Sequence, residues 1–359
     1  MYKIAAAFSL AVLLASSASV IAATSEDVIS EAKQYVENSS RNRGEWPGPT
    51  QSPPMAEGKS ITIISCHQAS NCAIDAAGAK EAATAAGWTA TVVDGKGDPA
   101  IYNAAIRTAV NAGVDGIITI AIAPSLIRDG LRYAQERDIP VVNGAEIASD
   151  SDLFAAHVDR EFAAQGEQMG KWMIADSGGT AKAVLLRADE FQAVIERQSN
   201  VAKAFENCAD CKILDSVNLT VSQGANPSYI QQLVQSLVAR FGDDLNYIVS
   251  PYGTLDGLIV PALRAAGRSD VKVVGYDGNA QQMQLCRQGQ VGAVAVTLLS
   301  WSGWAGVDQM NRVFNKSEPQ KQNIPAFMVV KATCPETGLA EQAYDIDFRD
   351  HYKKMWGKK

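Results

Sequence analysis

The segment ISCHQASNC, residues 64–72, sets Cys66 and Cys72 around His67 and Asn71, directly after the apolar run ITII. Four chemistries suit such a stretch: a thiol nucleophile, a metal site, a redox pair and a structural bridge. A Cys66–His67 dyad is disfavoured because adjacent side chains on an extended chain point apart, and an oxidised Cys66 does not attack. Metal binding wants tight, paired ligand spacings. Here five residues separate the cysteines, the lone C-x2-C at Cys208 and Cys211 has no partner motif, and His157 and His351 are far away in sequence. A redox C-x-x-C opens a helix whose dipole lowers the thiol pKa, whereas Cys208 follows the helical pattern NVAKAFEN and Cys211 leads into a strand. No metal and no cofactor are expected. The chain also lacks G-x-S-x-G, G-x-x-x-x-G-K-[ST] and a G-x-G-x-x-G between strand and helix, so nucleophilic and phosphate-cradling chemistry have no frame. A binder, and no enzyme, is the expectation.

The first residues point to an oxidising compartment. Lys3, the stretch IAAAFSLAVLLA and the small residues of SSASVIAA have the layout of a signal peptide over residues 1–23. No other stretch reaches the roughly 18 apolar residues of a spanning helix. Thiols in exported proteins tend to pair, and the six cysteines are an even set. Bridges Cys66–Cys72 and Cys208–Cys211 are expected, with Cys286 and Cys334 left for a third, although spacing alone leaves connectivity open. The net charge of −7, with no basic cluster, gives no footprint for nucleic acid or anionic membrane.

The elements that must position these residues follow a rhythm. After an extension over 24–58, whose WPGPTQSPP excludes regular helix or central strand, short β-rich runs alternate with Ala-rich amphipathic stretches: ITIIS, AIDAAGAKEAATAAG, TATVVD, PAIYNAAIRTAVNAG, VDGIITIAI. Past residue 180 the alternation restarts. Such a pattern predicts βαβ units and parallel sheets in two α/β lobes, with the ligand in the cleft outside the carboxyl ends of the strands.

Together the export signal, the first-lobe stretch GAKEAATAAGWTATVVDGKGDPA, the segment IPVV and the second-lobe stretch ALRAAGRSDVKVVGYDGNAQQMQL resemble the type I periplasmic solute-binding proteins of ABC transporters, in particular the ribose-binding-like sugar group. The resemblance covers roughly residues 60 to 330 and implies two Rossmann-like lobes joined by three crossings near residues 158, 297 and 326. The N-terminal lobe would hold 59–158 and 298–326, and the C-terminal lobe 159–297 and 327–359.

By the same resemblance Asp277, in GYDG, matches the carboxylate that accepts hydrogen bonds from sugar hydroxyls, and Ser65 matches a polar residue ending the first strand. Tyr252 stands where many relatives have Asn, and Thr297 where several have Gln. The sugar-stacking aromatic pair is replaced by Asn71 and Cys72, and the Asp-Arg pair after IPV by Ala145 and Glu146; Arg197 is nearest to the family's binding Arg. His67, Gln68 and Asn143 complete the polar candidates, with Phe191, Trp301 and Trp304 as further aromatics. The expected function is that of a periplasmic, monomeric solute-binding component of an ABC importer. It would close on a small-molecule solute, a sugar or polyol, and present it to membrane permease subunits. A sensory receptor of the same fold, or a binder of a small aromatic or amine, is the alternative.

Overall fold

The computed structural model describes residues 25–41, 44–68, 71–147, 152–158 and 160–358. The expected signal peptide, residues 1–23, lies outside them. In chain order the first elements are α1 (Ser25–Ser39), β1 (Ser60–Ser65), α2 (Cys72–Ala86), β2 (Thr89–Asp94), α3 (Pro99–Asn111), β3 (Gly116–Ile120), α4 (Pro124–Gln135), β4 (Val141–Gly144) and β5 (Ala156–His157). Then come α5 (Phe162–Ser177), β6 (Lys182–Arg187), α6 (Gln192–Phe205), β7 (Lys212–Asn218), α7 (Val221–Gly224), α8 (Pro227–Phe241), β8 (Tyr247–Val249), α9 (Asp256–Ala265), β9 (Lys272–Asp277) and α10 (Ala280–Arg287). The chain ends with β10 (Val291–Val296), α11 (Leu299–Phe314), β11 (Phe327–Val330) and α12 (Phe348–Met355).

Local chemistry explains several of these boundaries. α3 and α8 begin with proline at the first helical position after Asp98 and Asn226, whose side chains accept the amides of Ala100 and of Ser228 and Tyr229. Asn279 caps α10 through the amide of Gln282.

Two sheets form, in the orders β2-β1-β3-β4-β5 and β11-β10-β9-β8-β6-β7. All pairings are parallel except that of β11 with β10. The first sheet's register sets Ser65 beside Asp94 and Ile120, so that β1, β2 and β3 end level with one another. The chain leaves this sheet after β5, returns after β10 as α11, and re-enters the second sheet at β11. Arg160 and Ile324 pair as an isolated bridge where two of these passages run side by side. α11 lies against α2 at very short range. A Cβ on Gly78 would meet the Ser300 carbonyl oxygen at 2.6 Å, and one on Gly303 would meet the Ala79 amide at 2.3 Å.

Both chain ends cross between the lobes as well. α1 packs on α5 of the second lobe, burying Val28 and Ala32, with Lys171 Nζ on Glu31 (2.6 Å) and Tyr35 OH on Glu167 (3.2 Å). The following segment lies on the first lobe: Trp46 stacks on Trp301 (centroids 5.0 Å apart), and the amide of Ala56 donates to Asn311 Oδ1 (2.9 Å). At the other end the amide of Ala340 donates to the carbonyl of Gly278 in the second lobe (2.8 Å), after which α12 settles on α11 with Trp356 stacked on Trp304. Phe348, Tyr352 and Trp356 form a stripe along α12 and its cap that is buried against α11.

Three disulfides join Cys66 to Cys72, Cys208 to Cys211 and Cys286 to Cys334, with Cα–Cα distances of 5.8, 5.3 and 6.4 Å. The first ties the end of β1 to the start of α2, and the third fastens α10 to the segment after β11.

Candidate functional site

A cavity of about 390 Å³ lies between the lobes. The first lobe contributes Cys66 and His67 from the end of β1, Asn71, Cys72 and Asp75 from the start of α2, and Ala145 and Glu146 from the end of β4. Facing them are Phe191 and Arg197 of α6 and its cap, Tyr252 after β8, and Asp277 at the end of β9, while Arg160 and Phe162 close the hinge side. These are mainly the loops outside the carboxyl ends of the strands, where open parallel sheets present their ligand groups.

Seven sequence-derived candidates meet here: His67, Asn71, Glu146, Phe191, Arg197, Tyr252 and Asp277. Five others do not line the cavity. Ser65 is fully buried within β1, and the Asn143 side chain is buried and turned to the carbonyl of Ile147 (3.5 Å). Gln68 is exposed and uses its backbone amide on Asp94 Oδ1 (2.9 Å). Thr297 stands behind the wall, accepting from Arg197 Nη2 (2.8 Å) and donating to Asp277 Oδ1 (3.2 Å). Trp301 is wholly buried elsewhere, stacked between Trp46 and Phe348, and Trp304 shares that seam. Their helix turns these indoles toward α12, so their aromatic faces are spent on the chain ends.

Two charged residues of the site were not anticipated. Asp75 and Arg160 form a buried ion pair, their side chains 2% and 5% exposed. Asp75 lies inside a helix and Arg160 in a crossing, outside the post-strand loops where a sequence reading looks. A lone Asp in the first turn of the otherwise Ala-rich α2 was the available signal.

Electrostatics shape the pocket. Burial pushes the Asp75 carboxyl up to about 6, against the pull of Arg160. Burial also raises Glu146, opposed by the amides of Ile147 and Ala193 that its Oε1 accepts at 3.0 Å each. The guanidinium of Arg197 is drawn downward by burial and held up by Asp277. It donates to Gln165 Oε1 (2.8 Å), and α5 comes close enough behind it that a Cβ on Gly166 would strike the Arg197 carbonyl oxygen.

Asp277 has φ +86°, a left-handed conformation that costs a non-glycine residue on the order of 1–3 kcal/mol. Its carboxylate accepts Asn71 Nδ2 (2.7 Å), the Gly253 amide (3.1 Å), Thr297 Oγ1 (3.2 Å) and Arg197 Nη2 (3.4 Å). By contrast Asp75 Oδ1, Glu146 Oε2 and Arg160 Nε are sealed from solvent and have no hydrogen-bond partner among the described residues. No group of three or more His, Cys, Asp or Glu among the described residues is placed to hold a metal ion.

Residues 63–318 match a family model described as a periplasmic binding protein domain. The ribose import binding protein of Escherichia coli (strain K12) is 24% identical over 260 residues, covering 71% of this chain and 84% of that one. Among solved structures, an ABC transporter solute-binding protein of Mycobacterium smegmatis with bound glycerol superposes with a TM-score of 0.71 at 20% identity, covering 79% of this chain and 99% of that one. One from Agrobacterium vitis with bound allitol gives 0.69 at 17% identity, covering 77% and 97%.

Proposed function

The chain belongs to the periplasmic binding protein family, and we propose that it is the exported, solute-capturing component of an ABC importer, closing on a sugar or polyol and handing it on unaltered. Relatives in this family are binding proteins. Ribose, allitol and glycerol are named for relatives and neighbours of the chain.

The observation that carries the reading is a cavity walled from both lobes by charged groups and aromatic rings together. Contacts from both walls exist together only when the cleft is shut, so a solute that bridges them favours the closed form by its differential affinity. Phe191 and Tyr252, whose rings meet edge to face at 6.4 Å, offer apolar surface to the C–H face of a sugar or polyol. Asp75, Glu146 and Arg160 offer two acceptors and a donor to its hydroxyls. A buried polar atom left unpaired costs about 1–3 kcal/mol, so hydroxyls that pair them gain this difference on binding.

Among the described residues no helix is long and apolar enough to cross a membrane; delivery to membrane permease subunits belongs to the same proposal. A thermal-shift screen over ribose, allitol, glycerol, amines and small aromatic compounds, followed by calorimetry, tests the proposal. One-to-one binding of at least one of them, with no product formed, is the expected result. Binding confined to amines or aromatic compounds, or turnover of the solute, would overturn it.

A further inference from the structure

We propose that Asn71 and Asp277 form a latch between the lobes, so that the second-lobe carboxylate senses closure of the cleft instead of reading the hydroxyls of the solute. This rests on the reading that the lobes part and close around a solute.

An ionised carboxylate has about four acceptor sites, and Asp277 fills four with protein donors. Three of these, from Gly253, Arg197 and Thr297, belong to the second lobe or its edge and travel with Asp277. The shortest, at 2.7 Å, comes from Asn71 on the opposite lobe. The other end of the same amide accepts Asn279 Nδ2 at 3.2 Å, so Asn71 grips the second lobe at two points. It is well placed to do so: it is the residue before α2, and the bridge from Cys72 to Cys66 anchors that end of the helix to β1. In the shut cleft Asn71 is 9% exposed and Asp277 7% exposed.

A second tie crosses the cleft in the same sense, as Glu146 Oε1 of the first lobe accepts the Ala193 amide (3.0 Å) in the first turn of α6. That is the favourable end of a helix for an anion. The shut cleft thus has protein–protein hydrogen bonds of its own. A hydroxyl that sought Asp277 would have to displace Asn71.

Latching and competition give opposite signs for Asn71→Ala. A latch raises the closed fraction, and apparent affinity scales with the population of the binding-competent form; its loss lowers the closed-to-open ratio about tenfold, as for one charge-assisted hydrogen bond, and the closed fraction by a smaller factor. A competitor for the carboxylate, once removed, would strengthen binding.

The test is small-angle scattering on the full mature chain without solute, comparing wild type, Asn71→Ala and Asn71→Asp, with melting curves to establish that each is folded. Asn71→Asp sets two carboxylates face to face and opens the cleft if Asn71→Ala proves unstable. The expected result is a larger radius of gyration for both variants than for wild type. For whichever of ribose, allitol and glycerol binds, affinity for Asn71→Ala is expected to fall about twofold to tenfold, according to how far wild type is closed without solute. Identical scattering for wild type and the folded variants, or tighter binding by Asn71→Ala, would overturn the latch. The scattering arm uses no solute, so it stands even if none of the three polyols binds.

Discussion

Asp308 and Asp277 are both buried aspartates that accept four hydrogen bonds, and the origin of the donors separates them. Asp308 takes Ser52 Oγ (2.7 Å) and Trp356 Nε1 (3.0 Å) on one oxygen, and Arg312 Nε (2.8 Å) and Gln322 Nε2 (3.1 Å) on the other. All four lie on the first lobe and the two chain ends packed upon it. Asp277 takes three donors from its own side and one from across the cleft. One carboxylate therefore fastens parts that stay together, and the other joins parts that separate. Around Asp308 the tryptophan N–H groups are paired: Trp301 with Tyr352, Trp304 with Glu81 and Trp356 with Asp308 itself. Around the cavity, Asp75, Glu146 and Arg160 each keep one polar atom unpaired.

The sharpest break in this comparison is Asp308→Ala. It leaves Arg312, 5% exposed, without its ion-pair partner, and removing one member of a buried pair costs about 3–5 kcal/mol. Urea denaturation is expected to show that loss while solute affinity at low urea stays near wild type; a stable variant that had lost binding would erase the distinction.

Trp301→Ala is expected to cost a similar about 3–5 kcal/mol through the cavity it leaves, again with affinity retained. A selective loss of binding would return Trp301 to the solute site.

On the other side of the comparison, Phe191→Ala removes a half-buried ring at the cavity. Calorimetry is expected to show about a tenfold weaker Kd, near 1.4 kcal/mol, with little change in melting temperature. Equal affinity for both proteins would take Phe191 off the binding surface.

A pH-dependent effect concerns a third buried aspartate. Asp256 accepts from Ser250 and Gln282, and burial lifts its carboxyl to about 7. Folded protein holds this proton more tightly than unfolded chain, whose Asp titrates near 3.9. Its contribution to stability is thus fully present below about pH 4 and is lost as pH rises through about 7. Asp75, raised to about 6, acts in the same direction. Urea midpoints between pH 4 and 8 are expected to fall less steeply in Asp256→Asn than in wild type, and superimposable curves would refute this assignment.

The alternation of apolar runs with amphipathic stretches made both sheets legible, because a βαβ unit buries its strands on two faces and each helix on one. The pocket residues that follow strands, Glu146, Tyr252 and Asp277 among them, were legible for the same topological reason. Asp75 and Arg160 were not, since a helix position and a crossing acquire their neighbours only when distant segments meet. Aromatic residues just after a crossing suit a ligand or a core equally, and it is the position of α12 that puts Trp301 and Trp304 outside the cavity lining.

The most direct test of solute capture between the lobes is a crystal structure of the chain grown with whichever of ribose, allitol and glycerol raises its melting temperature most. Density is expected inside the cavity, touching Phe191 or Tyr252 from one lobe and Glu146 or Asp75 from the other. Density confined to the outer surface, or to a single lobe with the cleft left apart, would contradict it.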